Sequence, residues 1–160
     1  MMSVTIRDAG PDDAGLIFGF IVELAVYERE PEAVVTSEQV IRGQLLSDEP
    51  PFECVIAEAN GVAVGFALFF HTYSTWRGTQ GLFLEDLFVP EAQRGNGYGG
   101  ALLRHLARLA VDRNCGRFEW TVLDWNTPAI GFYESVGAVG MDEWTRFRLD
   151  GDALTAFAAG

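Results

Sequence analysis

One stretch past the midpoint of the chain constrains the fold more than any other. An apolar run, Leu82-Phe83-Leu84-Glu85-Asp86-Leu87-Phe88-Val89, is closed by Pro90. It is followed by Gln93-Arg94-Gly95-Asn96-Gly97-Tyr98-Gly99-Gly100 and then by an amphipathic segment, Ala101–Val111. The first part reads as a strand. The last reads as a helix, with Leu102, Leu103, Leu106, Ala107, Leu109 and Ala110 inward and Arg104 and Arg108 outward. A glycine-rich link between strand and helix lets the backbone approach a ligand closely and present successive N–H groups. The positive end of the helix dipole adds to them, and together they suit a phosphate or pyrophosphate. A flexible strand-to-helix turn would carry similar glycines, so the glycines alone leave both readings open.

The surrounding pattern gives the architecture. Val4-Thr5-Ile6-Arg7 alternates as a short strand. Pro11-Asp12-Asp13 opens a helix in which Leu16, Ile17, Phe20, Ile21, Leu24 and Tyr27 recur at helical spacing to about Glu28, and Pro31 ends that region. Thr36 to Gln39 has capping-box spacing, and a short helix to about Leu46 follows. Phe52–Ala59 and Val62–Phe70 are strand-like and are joined by Asn60-Gly61, a strong hairpin signal. Beyond the glycine loop, Asn114-Cys115-Gly116 ends the helix, Phe118–Leu123 reads as a strand and Pro128–Ser135 as a short helix. Trp144–Leu149 reads as a last strand and Asp152–Ala158 as a terminal helix. The prediction is a mixed α/β fold around one sheet, with residues 1–160 forming one domain.

Charge narrows the function. The 160 residues carry 23 acids against 11 bases, a formal net charge of −12. Such a chain is unsuited to neutralising phosphates along a nucleic acid and draws cations, so a cationic small molecule is the natural partner. All 11 bases are arginine. That removes a Schiff-base lysine and the nucleotide loop that ends in Lys. His71 and His105 are the only histidines, too few for a histidine-rich metal site, and no metal is expected. No apolar run reaches the roughly 20 residues of a membrane helix, and Met1–Val4 does not open a signal peptide. Cys54 and Cys115, in no metal-ligand spacing, fit a reduced cytoplasmic protein and leave a disulfide between them open.

The glycines admit two motifs. Gly95, Gly97 and Gly100 fit G-x-G-x-x-G of dinucleotide folds, with Asp124 near the end of the next strand. Against that, Pro90–Arg94 separates the strand from the first glycine, the loop follows a β meander, and too little chain remains for further βαβ units. Arg94, Gly97 and Gly99 instead spell R-x-x-G-x-G. In that form the segment resembles the acetyl-coenzyme A pyrophosphate loop of the GNAT superfamily of N-acetyltransferases. Leu84–Val89 resembles the strand leading into it. Asp124-Trp125-Asn126-Thr127-Pro128-Ala129-Ile130-Gly131-Phe132-Tyr133-Glu134-Ser135-Val136-Gly137-Ala138 resembles the closing motif of that superfamily. Glu23–Glu28, Gly65-Phe66-Ala67 and Tyr73-Ser74-Thr75-Trp76 are similar to the diamine and polyamine branch, the spermidine/spermine and thialysine acetyltransferases.

The resemblance implies a mostly antiparallel twisted sheet, splayed at the cofactor site, with helices on both faces. It implies acetyl-coenzyme A as co-substrate. Arg94, Gly95, Asn96, Gly97, Tyr98, Gly99 and Gly100 would hold its pyrophosphate, and the backbone of Phe88 and Val89 would pair with its pantetheine. Asn126 either bonds the cofactor or caps the helix that begins near Thr127. Tyr133 takes the role of general acid, donating to the departing thiolate. Without the motif it would be a half-buried aromatic beside Phe132.

A protonated alkylamine, with a pKa of about 10.4, must lose its proton before attack. By resemblance to the polyamine branch Glu85 is the candidate base, with Asp86 its neighbour. Adjacent residues on a regular strand face opposite sides, so one enters the cleft while the other faces away or pairs with an arginine. Tyr27, Glu28, Glu85, Asp86, Trp76 and Trp144 are the candidate acceptor-binding residues, and the acceptor is a small cationic amine. The branch further implies a homodimer, with no nucleic-acid or membrane partner. The short Ser47–Pro51 segment and Met141-Asp142-Glu143 depart from the branch where it shapes the acceptor cleft. The rival readings are a coenzyme A-binding regulatory module without turnover, and an acetyltransferase acting on peptide or protein amines.

Overall fold

The structure is a computed structural model that describes residues 3–160. The chain divides into two compact units, the first running to Thr121 and the second Val122–Gly160.

The first unit is built on a five-stranded sheet in the order β1-β2-β3-β4-β5. The strands are β1 (Val4–Asp8), β2 (Glu53–Ala59), β3 (Val62–Ser74), β4 (Thr79–Phe88) and β5 (Phe118–Trp120). The first four pair antiparallel and β5 pairs parallel with β4, so the sheet is mostly antiparallel. Asn60 and Gly61 both take positive φ, 53° and 75°, as the tight β2–β3 turn requires.

Three helices belong to this unit: α1 (Ala14–Tyr27), α2 (Glu38–Leu45), which packs on α1, and α3 (Tyr98–Asp112); α1 and α3 lie against the sheet. A single 3-10 turn, Pro11–Asp13, precedes α1, so the helix proper begins three residues later than the proline suggests. The N-cap of α2 is Ser37 rather than Thr36; its hydroxyl accepts from Val40 N at 3.3 Å. In α1, Ala14, Ile17, Phe20 and Leu24 form the buried stripe. Phe20 stacks on Phe66 at 5.3 Å and meets Phe88 edge-on at 6.4 Å.

The neighbour of Phe66 points the other way. A Cβ on Gly65 would lie 2.8 Å from the Phe88 carbonyl oxygen and 3.3 Å from Leu102 Cδ1. Since adjacent strand residues alternate, α1 and α3 cover opposite faces. Coverage on both sides explains why Cys54–Ala57 is buried without alternation. At the far end of α3, Arg113 grips the Glu53 carboxylate through two bonds of 2.6 and 2.8 Å and ties the helix to β2.

The second unit holds α4 (Thr127–Ser135) and α5 (Gly151–Ala158). The strand expected over Trp144–Leu149 is not formed. Its apolar and polar residues alternate, but a strand exists only where a neighbour completes its ladder, and none pairs with it among the described residues. The strand expected over Phe118–Leu123 is shorter, ending at Trp120.

Candidate active site

β4 and β5 pair over three positions only, Leu82 with Phe118, Phe83 with Glu119 and Leu84 with Trp120. Past Leu84 the ladder stops while β4 runs on to Phe88. The sheet is therefore splayed, and the backbone of the last four residues of β4 has an open edge on that side. On its other edge, β4 carries a register shift. Asp86 opposes Leu68, Leu84 opposes Phe69, and Glu85 is the extra residue between them. Such a bulge turns one side chain out of the regular alternation. Glu85 is exposed, while Asp86 is largely buried on the side of Phe88 and α1.

Three carboxylates share this region. Burial pushes Asp86 up to about 6, and the charges of Glu85 and then Glu28 add to the effect. Burial also raises Glu28, at the end of α1, with Glu85 contributing. Asp86 feels both other acids and Glu28 feels Glu85, so a cation placed among them would relieve both the burial and the repulsion.

After β4, Pro90 and a short turn at Glu91–Gln93 lead into the glycines. Gly95 and Gly97 take φ of 82° and 81°, a left-handed backbone that L side chains avoid. Gly97 is the N-cap of α3 and offers no side chain to it. The first helical bond of α3 is from Ala101 N to Gly97 O at 3.0 Å. The N–H groups of Tyr98, Gly99 and Gly100 are therefore left for a ligand at the positive end of the helix. A Cβ at Gly95 or Gly97 would meet nothing within 4 Å, so the loop faces open space. This cradle fits a pyrophosphate, as acetyl-coenzyme A requires.

Arg94 is placed otherwise than a free phosphate ligand. Its Nε donates to the Val89 carbonyl at 2.9 Å, and its guanidinium lies 4.7 Å above the Tyr27 ring and 5.7 Å from that of Phe88. It joins the loop to the ends of α1 and β4. Its Nη atoms make no hydrogen bond among the described residues. Tyr98 anchors the same loop from below, with its side chain 2% exposed. Phe88 and Val89 are buried, so only their backbone is available to a ligand.

Tyr27, Glu28, Glu85, Asp86, Phe88, Val89 and the 94–100 loop thus gather at one end of the sheet. Trp76 does not join them. It lies in the turn between β3 and β4, before Thr79. Thr79 and Glu85 are separated by six strand residues, about 20 Å. In the second unit, Asn126 caps α4, its Oδ1 accepting from Ala129 N at 3.4 Å. Tyr133 lies on α4 and is half-buried, its ring 5.8 Å from that of Phe132. Trp144 is exposed in the segment between α4 and α5. Both cysteines are free thiols, and burial pushes Cys54 up to about 12, far from a nucleophile.

The residue whose weight the sequence understates is Asp86. Its position after Glu85 was visible, but the bulge that exposes one acid and buries the other depends on pairing with β3.

A sheet opened beside an uncapped glycine-rich helix start, with carboxylates at the same end, is the arrangement that the family resemblance implies. The family assignment agrees: residues 20–138 match the Acetyltransferase (GNAT) family, and the chain belongs to it. The chain is 36% identical over 169 residues to the thialysine N-epsilon-acetyltransferase of Sus scrofa, covering 99% of each. It is 47% identical over 95 residues to the L-ornithine N5-acetyltransferase of Arabidopsis thaliana, covering 59% of this chain and 42% of that protein. Among solved structures, an integron cassette protein from the mobile metagenome of V. cholerae superposes with a TM-score of 0.82 at 29% identity, covering 100% of both chains. No helix among the described residues is long and apolar enough to cross a membrane.

Proposed function

We propose that this acetyltransferase moves the acetyl group of acetyl-coenzyme A to a primary amine of a small cationic acceptor, a diamine, polyamine or lysine analogue. The reading takes all 160 residues as one cytoplasmic N-acetyltransferase domain, with the homodimer implied by the branch. The observation that carries the acceptor class is the carboxylate group at the end of the splayed sheet. Asp86 is raised to about 6 by burial and by its acidic neighbours. That is the environment a positive charge completes. The names of the thialysine and ornithine relatives point the same way.

In this mechanism the acetyl thioester is the acyl donor. The N–H groups of Tyr98, Gly99 and Gly100, with Gly95, Asn96 and Gly97 shaping the loop, hold the pyrophosphate. Arg94 keeps the loop against Tyr27 and Phe88. The open edge of β4 at Phe88 and Val89 offers backbone partners to pantetheine. Glu28 and Asp86 bind the ammonium, and Tyr27 flanks it. Glu85, exposed at the bulge, removes the proton directly or through a water. Tyr133 donates to the thiolate as the amine's attack expels it. Transfer is direct within a ternary complex, because no cysteine is assigned an acyl-enzyme role.

The test is an acceptor screen with acetyl-coenzyme A, reading released thiol, across diamines, polyamines, thialysine, ornithine, aminoglycosides and an acidic peptide. Turnover is expected on the cationic amines. Coenzyme A binding without thiol release on any amine would reassign the chain as a binding module, and preference for the acidic peptide would overturn the acceptor class.

A further inference from the structure

A second cavity lies at the other end of β4. It measures about 540 Å3 and is lined by Trp76, Arg77, Thr79, Gly116 and Arg117. Its walls are the β3–β4 turn and the link from α3 to β5. The backbone stitches those walls together: Gly116 N donates to Gln80 O at 3.0 Å, and Leu82 N to Arg117 O at 2.9 Å. The 15 residues of α3 separate it from the glycine loop, about 22 Å at 1.5 Å per residue.

Three features of this cavity ask for the same ligand chemistry. First, the guanidinium groups of Arg77 and Arg117 have no carboxylate and no hydrogen-bond acceptor among the described residues. Two arginines left unmatched on one cavity leave positive charge there that an anion would complete. Second, the Thr79 hydroxyl oxygen is buried without a hydrogen-bond partner. A buried hydroxyl left unpaired costs free energy that a ligand acceptor would recover. Third, the space depends on a glycine. A Cβ at position 116 would lie 2.5 Å from Thr79 Oγ1 and 2.8 Å from Arg77 Cδ.

We propose that this cavity is an oxyanion site, which takes the phosphate or carboxylate group of a small molecule between Arg77 and Arg117, with Thr79 as a third donor. Guanidinium forks match planar and tetrahedral oxyanions, and charge-assisted bonds are the strong ones. Trp76, 82% exposed at the rim, supplies an aromatic wall and an optical signal.

The experiment titrates the full chain with sodium phosphate, and in parallel with sodium acetate, at ionic strength held constant with sodium chloride. Tryptophan fluorescence and calorimetry are both read. A saturable response to either anion is expected. Arg77→Gln and Arg117→Gln should each weaken it by about tenfold or more, and Trp76→Phe should remove the optical change while calorimetric binding persists. Gly97→Asp separates this site from the glycine loop and should leave the affinity unchanged. The ranking of the two anions identifies the group preferred. Absence of saturation by both anions, affinity unchanged from the parent in both arginine variants, or loss of binding in Gly97→Asp would each overturn the proposal.

Discussion

Replacing Asp86 by Asn tests the acidic cluster through its cost to folding. The carboxyl is raised from 3.8 to about 6, first by burial and then by the charges of Glu85 and Glu28. The folded state therefore holds the proton more tightly than the unfolded chain. Its contribution is full below pH 3.8 and is lost as pH rises through the folded value near 6. The difference of about 2 units, at 1.36 kcal/mol each, amounts to about 3 kcal/mol of destabilisation above pH 7. At pH 5 the same two values leave about 1.6 kcal/mol. Asn has nearly the same shape and no charge, so Asp86→Asn should gain about 3 kcal/mol over the parent at pH 8. The gain should be roughly half that at pH 5 and close to zero near pH 3. In a chain of this size the pH 8 gain corresponds to about 6–12 °C in Tm. Urea denaturation of both proteins across this pH range measures it directly. In the same variant KM for a diamine should rise, because the group proposed to bind the ammonium no longer carries a charge. A variant no more stable than the parent at pH 8, or equally stabilised at pH 5 and pH 8, would refute the reasoning about burial and mutual repulsion.

Three further substitutions probe other parts of the molecule. Tyr133→Phe keeps the ring and removes the hydroxyl; kcat should fall by about 10²–10⁴ with coenzyme A affinity little changed, and turnover within a few-fold of the parent would return Tyr133 to a packing role. Gly97→Asp places a charged side chain at φ 81° in open space. It should cost about 1–2 kcal/mol of backbone strain, leave the chain folded by circular dichroism and abolish coenzyme A binding by calorimetry. Gly65→Ala would put a Cβ 2.8 Å from the Phe88 carbonyl and 3.1 Å from Val89 Cγ2. Overpacking there should cost about 1–3 kcal/mol, read as a lower Tm, and an unchanged Tm would show that β4 can shift without penalty.

Local chemistry determined much of this protein from its sequence. Asn60-Gly61 marked its own turn because few other residue pairs accept positive φ twice in succession. The glycines before α3 announced an uncapped helix start. The stripe through Ile17, Phe20 and Leu24 marked the buried face of α1, because helical spacing puts those residues on one side. The family resemblance was legible for a related reason: its motifs are short runs of neighbours in sequence.

What only the tertiary structure decided depends on pairing between distant segments. Glu85 and Asp86 look equivalent in the chain. The register shift against Leu68 and Phe69 turns one outward and buries the other. The resemblance gives Arg94 as a pyrophosphate ligand; the contact of its guanidinium with Tyr27 and Phe88 depends on the ends of α1 and β4. Trp76 and Glu85 are grouped as candidate acceptor-binding residues, but the turn that holds Trp76 lies before the start of β4 and Glu85 lies toward its far end. Trp144–Leu149 has the composition of a strand and lacks the partner that would make it one. In each case the deciding contact joins residues far apart in the chain, and local propensity carries no information about which of them will meet.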